Sequence, residues 1–377
     1  MSDVIFADRT NWQRATNALT KAYQRVRERP EGLDLTISNP TQLQLNQIIP
    51  GDLQALSYEP QAMGLKSARE AISSYYRRRD IAVEPERIVI TSSTSEAYHH
   101  IFRLLCNPGD LVSLPSPSYP LFSYLAKLAD VTVTPYRIEY DGSWYLDQST
   151  LSEEAKAIVL VSPNNPTGSF LSPPEREAID KLGTPLISDE VFADYTSSHR
   201  DASWINNTHQ LSFTLNGLSK VAGLPQHKLA WMVLSGPEQE VQEATARLEL
   251  MLDTYLSVSS GIQNALPDVL DKVDAWQDTL KLRIAKNRSV IGEKLKQTAI
   301  TLRASQGGWY AILQMPNIRT DEEWALLAAQ EQGLLVQPGY FYDMRESSCL
   351  VLSLIGEPET IEAGIDRLIS LQESYTG

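Results

Sequence analysis

Ala157-Ile-Val-Leu-Val161 runs into Ser162-Pro-Asn-Asn-Pro-Thr-Gly168, Leu186-Ile-Ser188 runs into Asp189-Glu190, and Phe213-Thr-Leu215 runs into Asn216-Gly-Leu-Ser-Lys220. Each is an apolar run of strand length, and each stops at a polar cluster. The pattern extends upstream. Arg87–Thr91 reads as a buried strand followed by a helix from about Ser95 to Cys106, and Asp110–Leu114 reads as a second strand. A helix around Tyr119–Leu128 leads into a strand near Val131–Tyr136. Such alternation predicts an α/β fold: a mainly parallel sheet with helices on both faces. Ligands of these sheets sit beyond the carboxyl ends of the strands. Asn165, Asp189 and Lys220, at three successive strand ends, are therefore the first candidates for chemistry.

Beyond Leu234 the sequence turns helical, over Glu238–Leu252 and Asp268–Leu295. Short strands return at Thr301–Ala304, Tyr310–Gln314, Leu334–Gln337 and Leu350–Leu354, with helices near Asp321–Gln332 and Pro358–Glu373. The expected organisation is a large domain over 46–270 and a smaller α+β domain built from 1–45 and 271–377.

Composition narrows the function. The chain has 377 residues, 42% hydrophobic and 21% charged, enough for a sizeable core. The net charge of −14 and the dispersed basic residues give no coherent face for nucleic acid. Two cysteines, Cys106 and Cys349, form neither a CxxC pair nor a disulfide framework, which fits a reducing compartment. His99 and His100 are adjacent and so diverge on a helix, which argues against a metal site. With no secretory leader and no apolar stretch of about 18 residues, the expectation is a cytoplasmic chain without membrane contact.

A lysine forms imines readily once its amine is partly neutral. An aspartate on the same sheet edge suits a protonated pyridine nitrogen, which pairs Lys and Asp in the manner of pyridoxal phosphate sites. An asparagine amide suits the ring's phenolate oxygen. Thr91-Ser-Ser-Thr-Ser-Glu-Ala97 joins a strand to a helix, and a helix N-terminus with free N–H groups and hydroxyls takes anions.

With these motifs the sequence resembles the class I/II (fold type I) aminotransferases, over about Asp34 to Leu371. The resemblance implies pyridoxal 5'-phosphate as cofactor, a mainly parallel seven-stranded-type sheet, and transfer of an amino group from an amino donor to a 2-oxo acid. By similarity Lys220 carries the cofactor as an imine and, once freed, moves the substrate α-proton. Asp189 answers the ring nitrogen and Asn165 the phenolate. Ser93, Thr94 and Ser95 cradle the phosphate, with Lys228 where the family has arginine. Because Leu229–Val233 reads as a buried strand, Lys228 is not expected to be solvent-exposed. Tyr119 stacks on the ring. Tyr58 reaches the phosphate of a neighbouring subunit, which implies a homodimer.

Two positions depart from the family. Phe192 replaces a tyrosine that donates to the phenolate oxygen. Val351, in Val351-Leu-Ser-Leu354, stands where the family places the arginine that grips the substrate carboxylate. Either another donor serves or the substrate lacks that carboxylate. Arg345 is the first candidate donor, and Tyr340, Tyr342 and Trp309 are candidates for an apolar pocket wall. Two rival readings use the same scaffold: a carbon–sulfur β-lyase or decarboxylase, and a non-catalytic cofactor-sensing module.

Overall fold

A computed structural model describes residues 17–40, 42–43, 59–196 and 203–376. An eight-stranded sheet has the spatial order Ile88–Thr91, Ala230–Ser235, Ser212–Gly217, Leu186–Asp189, Ala157–Val161, Leu111–Ser116, Thr132–Tyr140, Trp144–Asp147. Pairing is parallel from Ser212–Gly217 through Thr132–Tyr140. Ala230–Ser235 runs antiparallel to both of its neighbours. The sheet exceeds the seven-stranded expectation by its edge strand, Trp144–Asp147, which folds back on Thr132–Tyr140 through a turn containing Gly142 at φ +111.

Alternate residues of the strands feed two separate cores. Ile88, Ile90, Ile158, Leu160, Trp231 and Val233 pack on one face, while Val89, Val112, Val159, Phe213, Leu215 and Met232 pack on the other. Burial on both faces explains why these strands read as unbroken apolar runs.

A second sheet orders Thr301–Leu302, Tyr310–Gln314, Cys349–Ser353 and Gln337–Pro338, all antiparallel. Its faces also divide. Ala311, Leu313, Leu350 and Leu352 join a third core with the helices Ala18–Arg27, Asp321–Glu331 and Pro358–Thr376. Tyr310, Ile312 and Val351 face the first core of the large sheet. Near the N-terminus, Leu33–Asp34 pairs in parallel with Leu334–Leu335.

The single helix expected over Asp268–Leu295 is two. Ser260–Asp271 ends at Lys272, whose N–H bonds the Val269 carbonyl three residues back, and Val273–Lys294 follows. The break lets Leu270 and Val273 both reach the core, each at most 1% exposed. The helix Pro173–Leu182 was not foreseen, although its start carries a capping box, Ser172 with Glu175, and Pro173 in its first turn.

Gly168 closes the loop that follows Ala157–Val161. Its φ is +67, and a Cβ there would lie 2.0 Å from Ser305 Oγ and 2.2 Å from the Gly307 carbonyl oxygen. Backbone strain and overlap with a main-chain oxygen act together at this position. Gly168→Ala is expected to cost about 2–3 kcal/mol, measured by urea unfolding against the unchanged chain.

Candidate active site

The carboxyl ends of the parallel strands bring Asn165, Asp189 and Lys220 to one edge. Val161, Asp189 and Leu215 are in register across three strands. Lys220 follows directly in the short helix Leu218–Val221. Its Nζ lies 4.7 Å from the centre of the Trp309 ring and 5.5 Å from that of Phe192. Burial among these rings pulls the ammonium down to about 8, and the Asp189 carboxylate opposes the shift. Asp189 is itself buried, which pushes its carboxyl up to about 6. The Val191 N–H at 3.2 Å, the Tyr98 hydroxyl at 3.0 Å and the charge of Lys220 act in the opposite direction.

Two adjacent asparagines behave differently. Asn164 is consumed by the loop. Its amide donates to the Pro117 carbonyl at 3.1 Å and to Thr167 Oγ1 at 2.9 Å, and its main chain bonds Ser169 and Gly168. Asn165 is 7% exposed, yet its Oδ1 has no partner. The indole Nε1 of Trp309 is also buried and unpartnered. A buried polar atom left unpaired costs about 1–3 kcal/mol, so these two atoms mark a place where a bound group would be welcome.

Ser93 caps the helix Thr94–Leu105. Its Oγ accepts from the Glu96 N–H at 3.1 Å, while Glu96 Oε2 accepts from the Ser92 N–H at 2.5 Å. Burial would raise the Glu96 carboxyl, but the His100 imidazole 3.7 Å away and hydrogen bonds from Ser92 and Ser257 hold it at about 2. Thr94 and Ser95 supply the first-turn N–H groups for which a helix has no internal acceptor.

Lys228 departs from expectation. Leu229 is buried, but Lys228 is exposed, in a left-handed conformation at φ +48 after the turn Pro225–His227. The chain must reverse there before the strand at Ala230, and that turn lifts the side chain out of the layer its neighbour enters. Tyr119 is 37% exposed, with its ring edge-on to Phe122. Its loop is pinned by Ser118 N–H to the Tyr342 carbonyl at 2.9 Å and Ser116 Oγ to the Asp343 carbonyl at 3.0 Å. Tyr58 lies outside the described residues.

Arg345 and Tyr340 make no recorded contact with the Lys220 cluster. Arg345 is exposed, 3.5 Å from Glu139. The Tyr340 N–H bonds Asp321 Oδ2 at 2.6 Å, and its ring packs on Phe341. The tight turn Gly339–Tyr342 sends the Tyr342 side chain inward instead, where it is buried against Tyr310. Val351 is fully buried, paired with Ile312 on one side and Gln337 on the other. Phe192 packs edge-on to Trp309 and Tyr310.

Sequence reading missed Tyr98, the hydroxyl on Asp189. Its only signal is a phenol on the apolar face of a helix, which needs a polar partner once buried. Among the described residues no cluster of potential metal ligands occurs and no helix is long and apolar enough to cross a membrane.

The family model described as aminotransferase class I and II matches residues 33–368. The chain belongs to this family. Among curated relatives it is 27% identical to the S-alkyl-thiohydroximate lyase SUR1 of Arabidopsis thaliana over 339 residues, covering 83% of this chain and 71% of that one. It is 28% identical to the glutamate-pyruvate aminotransferase AlaA of Haemophilus influenzae over 294 residues, 72% of each chain. The solved alanine aminotransferase from Pyrococcus furiosus superposes with a TM-score of 0.85 at 21% identity, over 94% of this chain and 96% of that one, a likeness of fold. The aminotransferase carries the fold type I architecture, with its mostly parallel central sheet.

A buried amine with a lowered pKa weakens the fold. The ammonium is penalised in the folded state wherever it is charged, so the deficit is complete below about 8 and vanishes as pH passes 10.5. Lys220→Met is therefore expected to raise unfolding free energy by up to about 3 kcal/mol at neutral pH. Denaturant unfolding should show that gain shrinking toward zero as the unfolded lysine loses its proton.

Proposed function

We propose that this aminotransferase holds pyridoxal 5'-phosphate as an imine on Lys220 and transfers an amino group between an amino donor and a 2-oxo acid. The observation that carries the reading is the buried Lys220–Asp189 pair on one sheet edge, beside Asn165, whose side-chain oxygen is buried without a partner. When bound, the cofactor supplies an electron-withdrawing ring for the carbanion character that develops at the substrate's α-carbon.

In this reading each residue has one task. Asp189, with Tyr98 and the Val191 N–H fixing its two oxygens, presents a carboxylate to the ring nitrogen. The Asn165 amide N–H donates to the phenolate oxygen. The first turn at Thr94 and Ser95, Ser93 at its cap, and the Lys228 ammonium face the phosphate. Tyr119 covers the ring. Lys220, with its amine drawn toward neutrality by Trp309 and Phe192, takes the substrate α-proton and hands it on. The cofactor-binding part is 46–270, and 1–45 with 271–377 is the smaller domain. A homodimer, through Tyr58, and a cytoplasmic location complete the proposal.

Val351 offers the donor's carboxylate no cation, and its side chain is fully buried in the core. Burying a carboxylate in this region without a cation would cost about 3–5 kcal/mol, so the preferred donor lacks a carboxylate at that position.

Borohydride reduction of the loaded protein, followed by peptide mapping, is expected to place the tag on Lys220; a tag on another lysine would overturn the assignment. A single-turnover absorbance screen against α-amino acids and simple amines then reads the donor class. Amines without an α-carboxylate are expected to react at least as well as the amino acids of equal size. If only α-amino acids react and Arg345→Ala abolishes the reaction, that guanidinium holds the carboxylate and the Val351 argument fails. Release of ammonia or carbon dioxide without an oxo-acid acceptor would favour elimination or decarboxylation.

A further inference from the structure

We propose that Tyr195 is a positioning residue for Lys220, holding the lysine's main chain and the aromatic plate beneath its amine as one unit, with Gln277 and Asp194 as its buttress. The proposal deepens the reading of Lys220 as the reactive amine and rests on it.

Lys220 sits near the end of a four-residue helix, Leu218–Val221. So short a helix leaves its last carbonyls without intrahelical donors. Side chains from elsewhere in the chain satisfy two of them. The Tyr195 hydroxyl donates to the Lys220 carbonyl at 2.6 Å, and Gln277 Nε2 donates to the Val221 carbonyl at 2.8 Å. The reactive side chain is thus anchored at its root by two distant residues.

Tyr195 also governs the other side of the amine. Its carbonyl accepts from the Gly308 N–H at 2.8 Å, immediately before Trp309. Its ring stands 5.0 Å from that of Trp309, nearly perpendicular. The approach is close enough that a Cβ on Gly307 would lie 2.8 Å from the Tyr195 carbonyl oxygen. Trp309 in turn carries the Lys220 amine 4.7 Å from its centre. One residue therefore fixes both the stem of the lysine and the surface that keeps water from its tip.

The buttress has few spare bonds. Gln277 Nε2 also donates to Asp194 Oδ2 at 2.9 Å, and its Oε1 accepts from Arg79 Nη2 at 2.9 Å. Arg79 Nε reaches Asp194 Oδ1 at 2.8 Å, and the Tyr75 hydroxyl reaches Oδ2 at 2.5 Å. Tyr195 and Gln277 are 4% and 1% exposed, so water cannot readily replace either bond. Without the Tyr195 hydroxyl the lysine turn loosens, the amine reaches water more often, and its proton is held more firmly.

The test uses the full-length chain, freed of pyridoxal phosphate, with Tyr195→Phe keeping the ring and removing only the hydroxyl. Competitive acylation with acetic anhydride across pH, read by mass spectrometry, gives the titration midpoint of Lys220. Absorbance on adding pyridoxal phosphate gives the rate of imine formation. The midpoint is expected to rise by about one unit, with the neutral-pH imine rate falling about tenfold. Tyr136→Phe is the matched control, since its hydroxyl donates to the Val159 carbonyl at 2.8 Å in the same core. It should lose comparable stability and move neither readout.

Equal behaviour of the two variants in both readouts overturns the proposal. Should Tyr195→Phe fail to fold, Gln277→Met cuts the second anchor, and a smaller shift in the same direction is expected; no shift overturns the proposal as well. A borohydride tag on a different lysine would defeat the functional reading, while the acylation midpoint still reports how Lys220 is held.

Discussion

Withdrawing the Lys220 amine from water is the constraint on which the site depends. An ammonium in bulk solvent has no nucleophilic pair, and a fully buried one would not be tolerated. The chain settles between these limits with two aromatic rings and one carboxylate. Trp309 and Phe192 remove water, and Asp189 returns part of the lost charge stabilisation. Asp189 is destabilised by the same dryness, so the two groups moderate each other. The strands that deliver them are buried on both faces and absorb the cost.

Free hydrogen-bonding capacity is distributed unevenly around that pair. Asn164, Gln277 and Asp194 are saturated by protein partners, whereas Asn165 and Trp309 each keep a buried atom unmet. Saturation gives rigidity, and unmet capacity gives affinity for a guest. The neighbours Asn164 and Asn165 divide these duties within one loop: the first folds it, and the second keeps a buried oxygen unmet.

Much of the architecture was legible because its causes are local. Strand runs such as Ala157–Val161 are apolar throughout, and they end where polar residues collect, so both the sheet and the edge bearing Asn165, Asp189 and Lys220 followed from periodicity. The helix break at Lys272 was hidden because a charged residue in a charged helix carries no breaking signal. The edge strand Trp144–Asp147 was overlooked despite the Asp141-Gly142 turn before it. The exposure of Lys228 was misjudged because burial of a neighbour says nothing about a residue in a reversing turn. The residues that hold the site, Tyr98, Tyr195 and Gln277, could not be read at all. Their contacts span 91, 25 and 56 positions, and only the folded chain makes them neighbours.

The antiparallel strand Ala230–Ser235 carries one more consequence. Its first residue, Ala230, is in register with Thr91 on one side and Gly217 on the other. The serine/threonine turn and the lysine turn therefore begin two strand spacings apart, about 10 Å. Register in a sheet buried on both faces cannot slip by one residue without turning every side chain over. The fold thus works as a fixed gauge: the two turns keep one interval, which no local rearrangement of the sheet can lengthen or shorten.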